Sequence, residues 1–226
     1  MFTTPSVIVF DVNETLSDMG PLADAFTRAG VADSLAGLWF TEVLRDGFAL
    51  TSAGDNPAFA DLATDSLNRL LTQTSGPGDF QEQVTSIMGV FKNLSLHPDA
   101  APGIEALSRI TQLVTLSNGA TSVAEDLLSR GGVREEFSRL LSVQDAPRWK
   151  PAREAYDYAA RETGQTVDRL LLVAVHPWDI HGASAAGLHT AWINRTGASY
   201  PSYFNDPDIE AEDLVALAGK LTGLDR

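Results

Sequence analysis

Cysteine is absent from the 226-residue chain, which excludes disulfides, thiolate metal sites and cysteine nucleophiles together. Cations are scarce as well: 16 Lys and Arg against 30 Asp and Glu leave a formal net charge of -14. A nucleic-acid binder needs clustered cations to neutralise phosphates, so no nucleic-acid partner is expected. A small anionic substrate is still compatible, because it responds to local potential rather than to net charge. No uncharged apolar run is long enough to span a bilayer, and no membrane partner is expected. The first residues lack a basic stretch followed by an apolar segment and a cleavage site, so the expected compartment is the cytoplasm. The length suits one large domain, or a core with a smaller unit inserted.

What is present is organised in two blocks. The apolar run Val7-Ile8-Val9-Phe10 reads as a buried strand that ends on Asp11. From there to residue 94 the spacing is helical. Short and longer helices are expected over Pro21 to Arg28 and Ser34 to Leu50, the latter with an apolar stripe of Leu35, Leu38, Trp39, Val43 and Phe48. Phe59, Leu62, Leu67, Leu70 and Leu71 mark a third helix, which Gly76-Pro77-Gly78 breaks before a fourth from Phe80 to Phe91. After His97-Pro98 helices alternate with short apolar strands at Leu113 to Leu116, Leu140 to Val143, Leu170 to Val175 and Thr190 to Ile193, before an acidic C-terminal helix. Such alternation indicates a parallel sheet covered on both faces. The expected fold is therefore α/β: a Rossmann-like parallel-sheet core, residues 1–17 and 97–226, with an inserted all-helical cap, residues 18–96.

Parallel strands present their following loops along one sheet edge, where ligand chemistry gathers. Asp11 and Thr15 follow the first strand, and Ser117-Asn118-Gly119 follows Leu116 at a helix start that favours anions. Lys150 lies in Arg148-Trp149-Lys150-Pro151, with Tyr156 six residues on, and His176-Pro177-Trp178-Asp179 follows the fourth strand. Each has a bland reading taken alone: an N-cap, a solvated helix start, a turn former. Their order on successive loops of one edge is hard to explain separately.

Phe10-Asp11-Val12-Asn13-Glu14-Thr15-Leu16 resembles the first motif of the haloacid dehalogenase superfamily. With Leu116-Ser117-Asn118-Gly119, Lys150-Pro151, Tyr156, Trp178-Asp179 and Gly182-Ala183, the chain resembles the type II members, the L-2-haloacid dehalogenases, over nearly its whole length. The resemblance implies hydrolysis of short 2-halocarboxylic acids, L or (S) preferred, through an aspartyl ester on Asp11. It implies that Thr15, Ser117 and Asn118 position groups around Asp11, and that Lys150 and Tyr156 bind carboxylates. Asp179 would organise Lys150 and the hydrolytic water, while Asn118 and Trp178 would meet the leaving halide. Leu38, Trp39 and Phe40 would wall the site from the cap. The resemblance also implies a homodimer and a small halogenated carboxylate as partner.

Several residues depart from related patterns. Phosphatases of the superfamily carry a second Asp at the place of Asn13, and a metal-binding acid at the place of Val175; neither residue here can do that work. No metal site and no cofactor are expected, and an Mg²⁺-dependent phosphatase is a poor fit. His97, His181 and His189 share no ligand spacing. The dehalogenases usually have an Arg after the cap Trp, where this chain has Phe40, and Arg45 is too far along the helix to face the same way. Ala174 and His176 stand where the family usually has Ser and Asn. Two readings of His176 stand: a base for the hydrolytic water, or a ring N–H satisfying a backbone carbonyl beside Pro177. The alternatives to a dehalogenase are a phosphatase-like hydrolase and a small-carboxylate-binding homologue.

Overall fold

The computed structural model describes residues 4–223; the expected core extends past these limits at both ends. Strand β1 (Val7–Phe10) is followed by helices α1 (Pro21–Arg28), α2 (Leu35–Ala53), α3 (Phe59–Ser75) and α4 (Gln81–Lys92). Then come α5 (Ala100–Ser108), β2 (Gln112–Ser117), α6 (Thr121–Arg130), β3 (Phe137–Ser142) and α7 (Arg153–Thr163). The chain closes with β4 (Leu170–Ala174), α8 (Pro177–Ala186), β5 (His189–Ile193), β6 (Ile209–Ala211) and α9 (Leu214–Thr222). Each strand expected from the sequence is present, and β6 is additional. The acidic stretch expected to be helical supplies β6 and then Asp213, whose carboxylate accepts the Ala216 N–H at 2.7 Å and starts α9.

The sheet has six strands in the order β3-β2-β1-β4-β5-β6, and every neighbouring pair is parallel. β1 is central and apolar on both faces. Val7 and Val9 enter one core cluster together with the residues of α1 to α4, whereas Ile8 and Phe10 pack with Ile104, Leu127 and Leu217 in the other. The strand order reverses direction at β1, so the crevice at its carboxyl end is the expected place for a ligand. Phe10 is in register with Thr115 of β2 and Val173 of β4. Asp11, Ser117 and His176 thus leave the sheet along the same edge.

Two linkers join the helical block to the sheet, and they pair with each other. Ser17 and Leu96 form an antiparallel bridge. The Asp18 N–H donates to the Ser95 carbonyl at 2.8 Å, and the His97 N–H to that of Leu16 at 2.9 Å.

Helix α2 reaches the site edge through Phe40, Gly47 and Phe48. The stripe on it differs from the one read in the sequence: Trp39, Phe40 and Val43 are buried, while Leu38 is 46% exposed and cannot wall the site. Gly47 allows the closest approach. A Cβ there would lie 2.3 Å from Cζ3 of Trp149. Trp149 is itself fixed by an indole N–H bond to the Pro57 carbonyl at 2.9 Å and a stacked contact with Phe59. Gly47→Ala is expected to destabilise the protein by about 1–3 kcal/mol through overpacking. Chemical denaturation checks this; an unchanged midpoint would mean that α2 yields freely at this contact.

Candidate active site

Asp11 caps the carboxyl end of β1, where its N–H continues the sheet by donating to the Val173 carbonyl at 3.1 Å. Its side chain is almost entirely buried. Thr15 donates its hydroxyl to Asp11 Oδ2 at 2.6 Å, and Lys150 Nζ donates to Oδ1 at 2.8 Å. Thr15 Oγ1 in turn accepts the Val175 N–H at 3.1 Å, which ties the loops after β1 and β4 together.

Lys150 is fully buried and lies between two carboxylates, with Asp179 Oδ2 at 2.6 Å on its other side. Asp179 Oδ1 accepts the Tyr156 hydroxyl, also at 2.6 Å. Helices α7 and α8 set this chain, and Gly182 lets them meet: a Cβ there would lie 2.6 Å from the Tyr156 hydroxyl. Tyr156 is fully buried and its hydroxyl donates to Asp179, so the carboxylate it holds in this structure is that of Asp179.

Electrostatics follow from this geometry. Burial alone would push the Asp11 carboxyl up, but the Lys150 ammonium, the Coulombic pull of His176 and the bonds from Lys150 and Thr15 outweigh it. Asp11 is held below its ordinary value and is ionised. Burial also disfavours charge on Lys150, yet Asp11 and Asp179 raise it above its ordinary value. Asp179 is raised, first by burial and then by its like-charged neighbour Asp11 against the opposing pull of Lys150. Burial and the adjacent Asp179 keep Tyr156 a phenol, well above its ordinary value.

Two residues of the second loop bond to backbone groups beside Asp11. Ser117 Oγ accepts the Gly119 N–H at 2.9 Å, and no bond joins it to Asp11. Asn118 is bonded at both ends of its amide to the Lys150 backbone: Oδ1 accepts the N–H at 3.0 Å, and Nδ2 donates to the carbonyl at 3.2 Å. It positions the lysine, and only its second Nδ2 hydrogen is left for a halide.

Aromatic rings close the other side. The His176 ring is stacked between Trp178, with centroids 5.0 Å apart, and Phe40, at 6.4 Å. Trp178 meets Phe48 edge-on at 4.9 Å and lies 5.9 Å from Lys150 Nζ. Trp39 stands behind Phe40, fully buried, with its indole N–H on the Ala63 carbonyl at 3.0 Å. Arg45 is on the cap surface, paired with Asp46 and Glu42.

His176 Nε2 faces three acceptors. The Asn13 carbonyl is at 3.2 Å, Glu14 Oε2 at 3.5 Å and Asp11 Oδ2 at 3.6 Å. A carbonyl can only accept, so Nε2 carries a hydrogen and is not a free base at rest. The carbonyl it satisfies is that of Asn13, not one beside Pro177.

Glu14 was not singled out from the sequence, since nothing in its spacing marks it. Its backbone does: at φ 61° it is the sole non-glycine residue in the left-handed region among the described residues. Glu14 and His176 also line a cleft of about 540 Å³ between the loop after β5 and the linker into α1. Asp11 does not line it.

The donor set does not suit a divalent cation. A lysine ammonium already bridges Asp11 and Asp179, and the loop position expected to supply a third oxygen is Val175. Among the described residues, no group of three or more His, Asp or Glu side chains is placed to hold a metal.

The lysine makes the site testable. Because the folded Asp11 value lies below the ordinary 3.8, its stabilisation is present above that pH and lost as pH falls through the folded value. For Lys150 the folded value lies above 10.5, so its stabilisation is present below that pH and lost as pH rises through the folded value. Lys150→Met leaves two buried carboxylates without a counter-charge, which is expected to cost about 3–5 kcal/mol. It should also move the acid limb of any Asp11-dependent rate upward. Urea unfolding and a pH–rate profile check both; an unmoved acid limb would detach Lys150 from the ionisation of Asp11.

The chain is similar to known proteins over nearly its whole length. The chain is 28% identical over 213 residues to haloacetate dehalogenase H-2 of Moraxella sp. (strain B), covering 93% of this chain and 95% of that protein. It is 26% identical over 214 residues to (S)-2-haloacid dehalogenase H-109 of Pseudomonas putida, with the same coverage. The fold superposes on the L-2-haloacid dehalogenase of Xanthobacter autotrophicus with a TM-score of 0.88, at 22% identity, over 97% of this chain and 99% of that one. The model of the haloacid dehalogenase-like hydrolase family matches residues 5–187. With its parallel sheet and the carboxylate at the end of its central strand, the chain belongs to the haloacid dehalogenase-like hydrolases.

Proposed function

We propose that the protein is a metal-independent hydrolytic dehalogenase that converts haloacetates and short (S)-2-haloalkanoic acids to 2-hydroxy acids. The observation that carries this reading is the buried chain Asp11–Lys150–Asp179. It provides an ionised carboxylate, kept free of bulk water, with a cation fixed against it. The relatives that match 93% of the chain, named for haloacetate and (S)-2-haloacid dehalogenation, support the substrate class.

In the first step Asp11 attacks the alpha carbon in line with the departing halide, inverting that carbon and forming an ester. Desolvation strengthens the nucleophile, and Lys150 keeps it anionic. Ser117, which accepts from Gly119, retains its hydroxyl hydrogen for an anionic substrate. The second Nδ2 hydrogen of Asn118 and the edge of Trp178 serve the developing halide charge. Phe40 takes up room on the cap side of His176 and narrows that pocket, which favours small leaving groups, fluoride and chloride, over larger ones. In the second step water attacks Cγ of Asp11 and frees the hydroxy acid.

The same reading treats residues 18–96 as a cap over the core, supported by the paired linkers at Ser17 and Leu96. It includes a homodimer, as the family resemblance implies, and a cytoplasmic location. Among the described residues, no helix is long and apolar enough to cross a membrane.

Halide release from fluoroacetate, chloroacetate, bromoacetate and each enantiomer of 2-chloropropionate, with EDTA present, tests the reading. Release from the haloacetates and the (S) enantiomer is expected, and Asp11→Asn should abolish it. No halide from any of them, together with Mg²⁺-dependent release of phosphate from a phosphomonoester, would replace the reading with a phosphatase.

A further inference from the structure

Ester hydrolysis leaves a proton in a site shut off from solvent, and the groups around Asp11 offer few ways out. Thr15 is fully buried and leads only to the Val175 backbone. Lys150 leads to Asp179 and then Tyr156, and each of the three is fully buried. Both paths end inside the protein. The remaining neighbour is His176, whose Nε2 lies 3.6 Å from Asp11 Oδ2 and 3.5 Å from Glu14 Oε2. The Glu14 side chain is 41% exposed and borders the cleft of about 540 Å³. We propose that His176 and Glu14 form the proton exit of the reaction, discharging Asp11 into this cleft while the cap stays in place.

This rests on the reading of Asp11 as the nucleophile and adds a positioning residue to it. In the second half-reaction the water oxygen bonds to Cγ of Asp11, and the Cγ–Oδ bond to the substrate breaks. One water hydrogen ends on the hydroxyl of the 2-hydroxy acid, and the other is left on the Asp11 carboxyl. Protonated His176 passes its Nε2 proton to the Glu14 carboxylate, and the neutral ring then takes the Asp11 proton on the same nitrogen. Glu14 then releases its proton to water in the cleft, and Asp11 is an anion again. Both gaps are a few tenths of an ångström longer than a hydrogen bond, and a small rotation of the His176 ring between Phe40 and Trp178 closes either one.

The backbone of Glu14 fits such a role. Its left-handed conformation is one that glycine adopts freely and glutamate does not. It is pinned on both sides: the N–H donates to Ser17 Oγ at 3.2 Å, and the carbonyl accepts from His97 Nε2 at 3.0 Å. Strain of this kind gathers where a side chain must be aimed. Burial also raises the Glu14 carboxyl above its ordinary value, against the Coulombic pull of His176, which suits a group that must both take and release a proton.

Glu14→Gly and Glu14→Gln test the exit, with chloroacetate as substrate. Glycine relieves the strain at φ 61°, so Glu14→Gly should unfold no earlier than the parent, and lost turnover cannot be ascribed to misfolding. In both variants the first equivalent of halide and of glycolate should appear at the parental rate. Steady turnover should then fall about a hundredfold, and formate should restore it in Glu14→Gly by entering the vacated space. Parental turnover in both variants, equal slowing of the first equivalent, or no rescue by formate would each overturn the relay. If the parent releases no halide at all, the reading of Asp11 fails first, and the relay falls with it.

Discussion

One buried ammonium organises the site. Lys150 Nζ is within 2.8 Å of two carboxylates, and no member of the trio has appreciable contact with solvent. Two anions and one cation in a low-dielectric interior are stable only if every remaining polar site is matched. The surrounding contacts do this matching. Tyr156 donates to Asp179, Thr15 donates to Asp11, and Asn118 fixes the Lys150 backbone by two bonds. Asp11 faces the reaction space with a depressed carboxyl value, and Asp179 takes the raised one. Environment alone gives two identical side chains different tasks.

The cap depends on the same loop. Trp149, the residue before the lysine, fits under Gly47 and stacks on Phe59, while Asn56 donates to the Val143 and Ala146 carbonyls at 3.0 and 2.8 Å. Arg148 donates to the Thr51 carbonyl. The segment that delivers the cation to Asp11 is thus also the one on which the helical block rests. On the other side Phe40 and Phe48 meet His176 and Trp178 ring against ring. A shift of the cap therefore reaches both the cation and the imidazole beside the nucleophile.

Much of this arrangement was legible in the sequence, and what was not has identifiable physical causes. The strands were visible because a sheet buried on both faces needs short continuous apolar runs, as at Val7–Phe10 and Leu170–Ala174. The loop residues were visible because parallel strands deliver them to one edge. Which partner each side chain meets depends on distant elements. Asn118 bonds across 32 positions to Lys150, and Tyr156 across 23 to Asp179, and neither partner can be read from local spacing. Leu38 and Phe40 were given equal weight as wall residues, because α2 is apolar around much of its circumference. Only packing separates the exposed one from the buried one. β6 is three residues long in an acidic stretch, too short to carry a period. Glu14 stayed hidden because its signal is a backbone angle.

The central claim is that Asp11 bonds covalently to substrate and that water then attacks Asp11, not the substrate carbon. A single turnover in ¹⁸O-water, with enzyme in excess over chloroacetate, addresses it directly. Peptide mass spectrometry should find one ¹⁸O in the Asp11 carboxylate, while the glycolate hydroxyl carries the ¹⁶O that Asp11 contributed. Label in the glycolate hydroxyl with an unlabelled Asp11 would contradict the account and make Asp11 a base for direct attack by water.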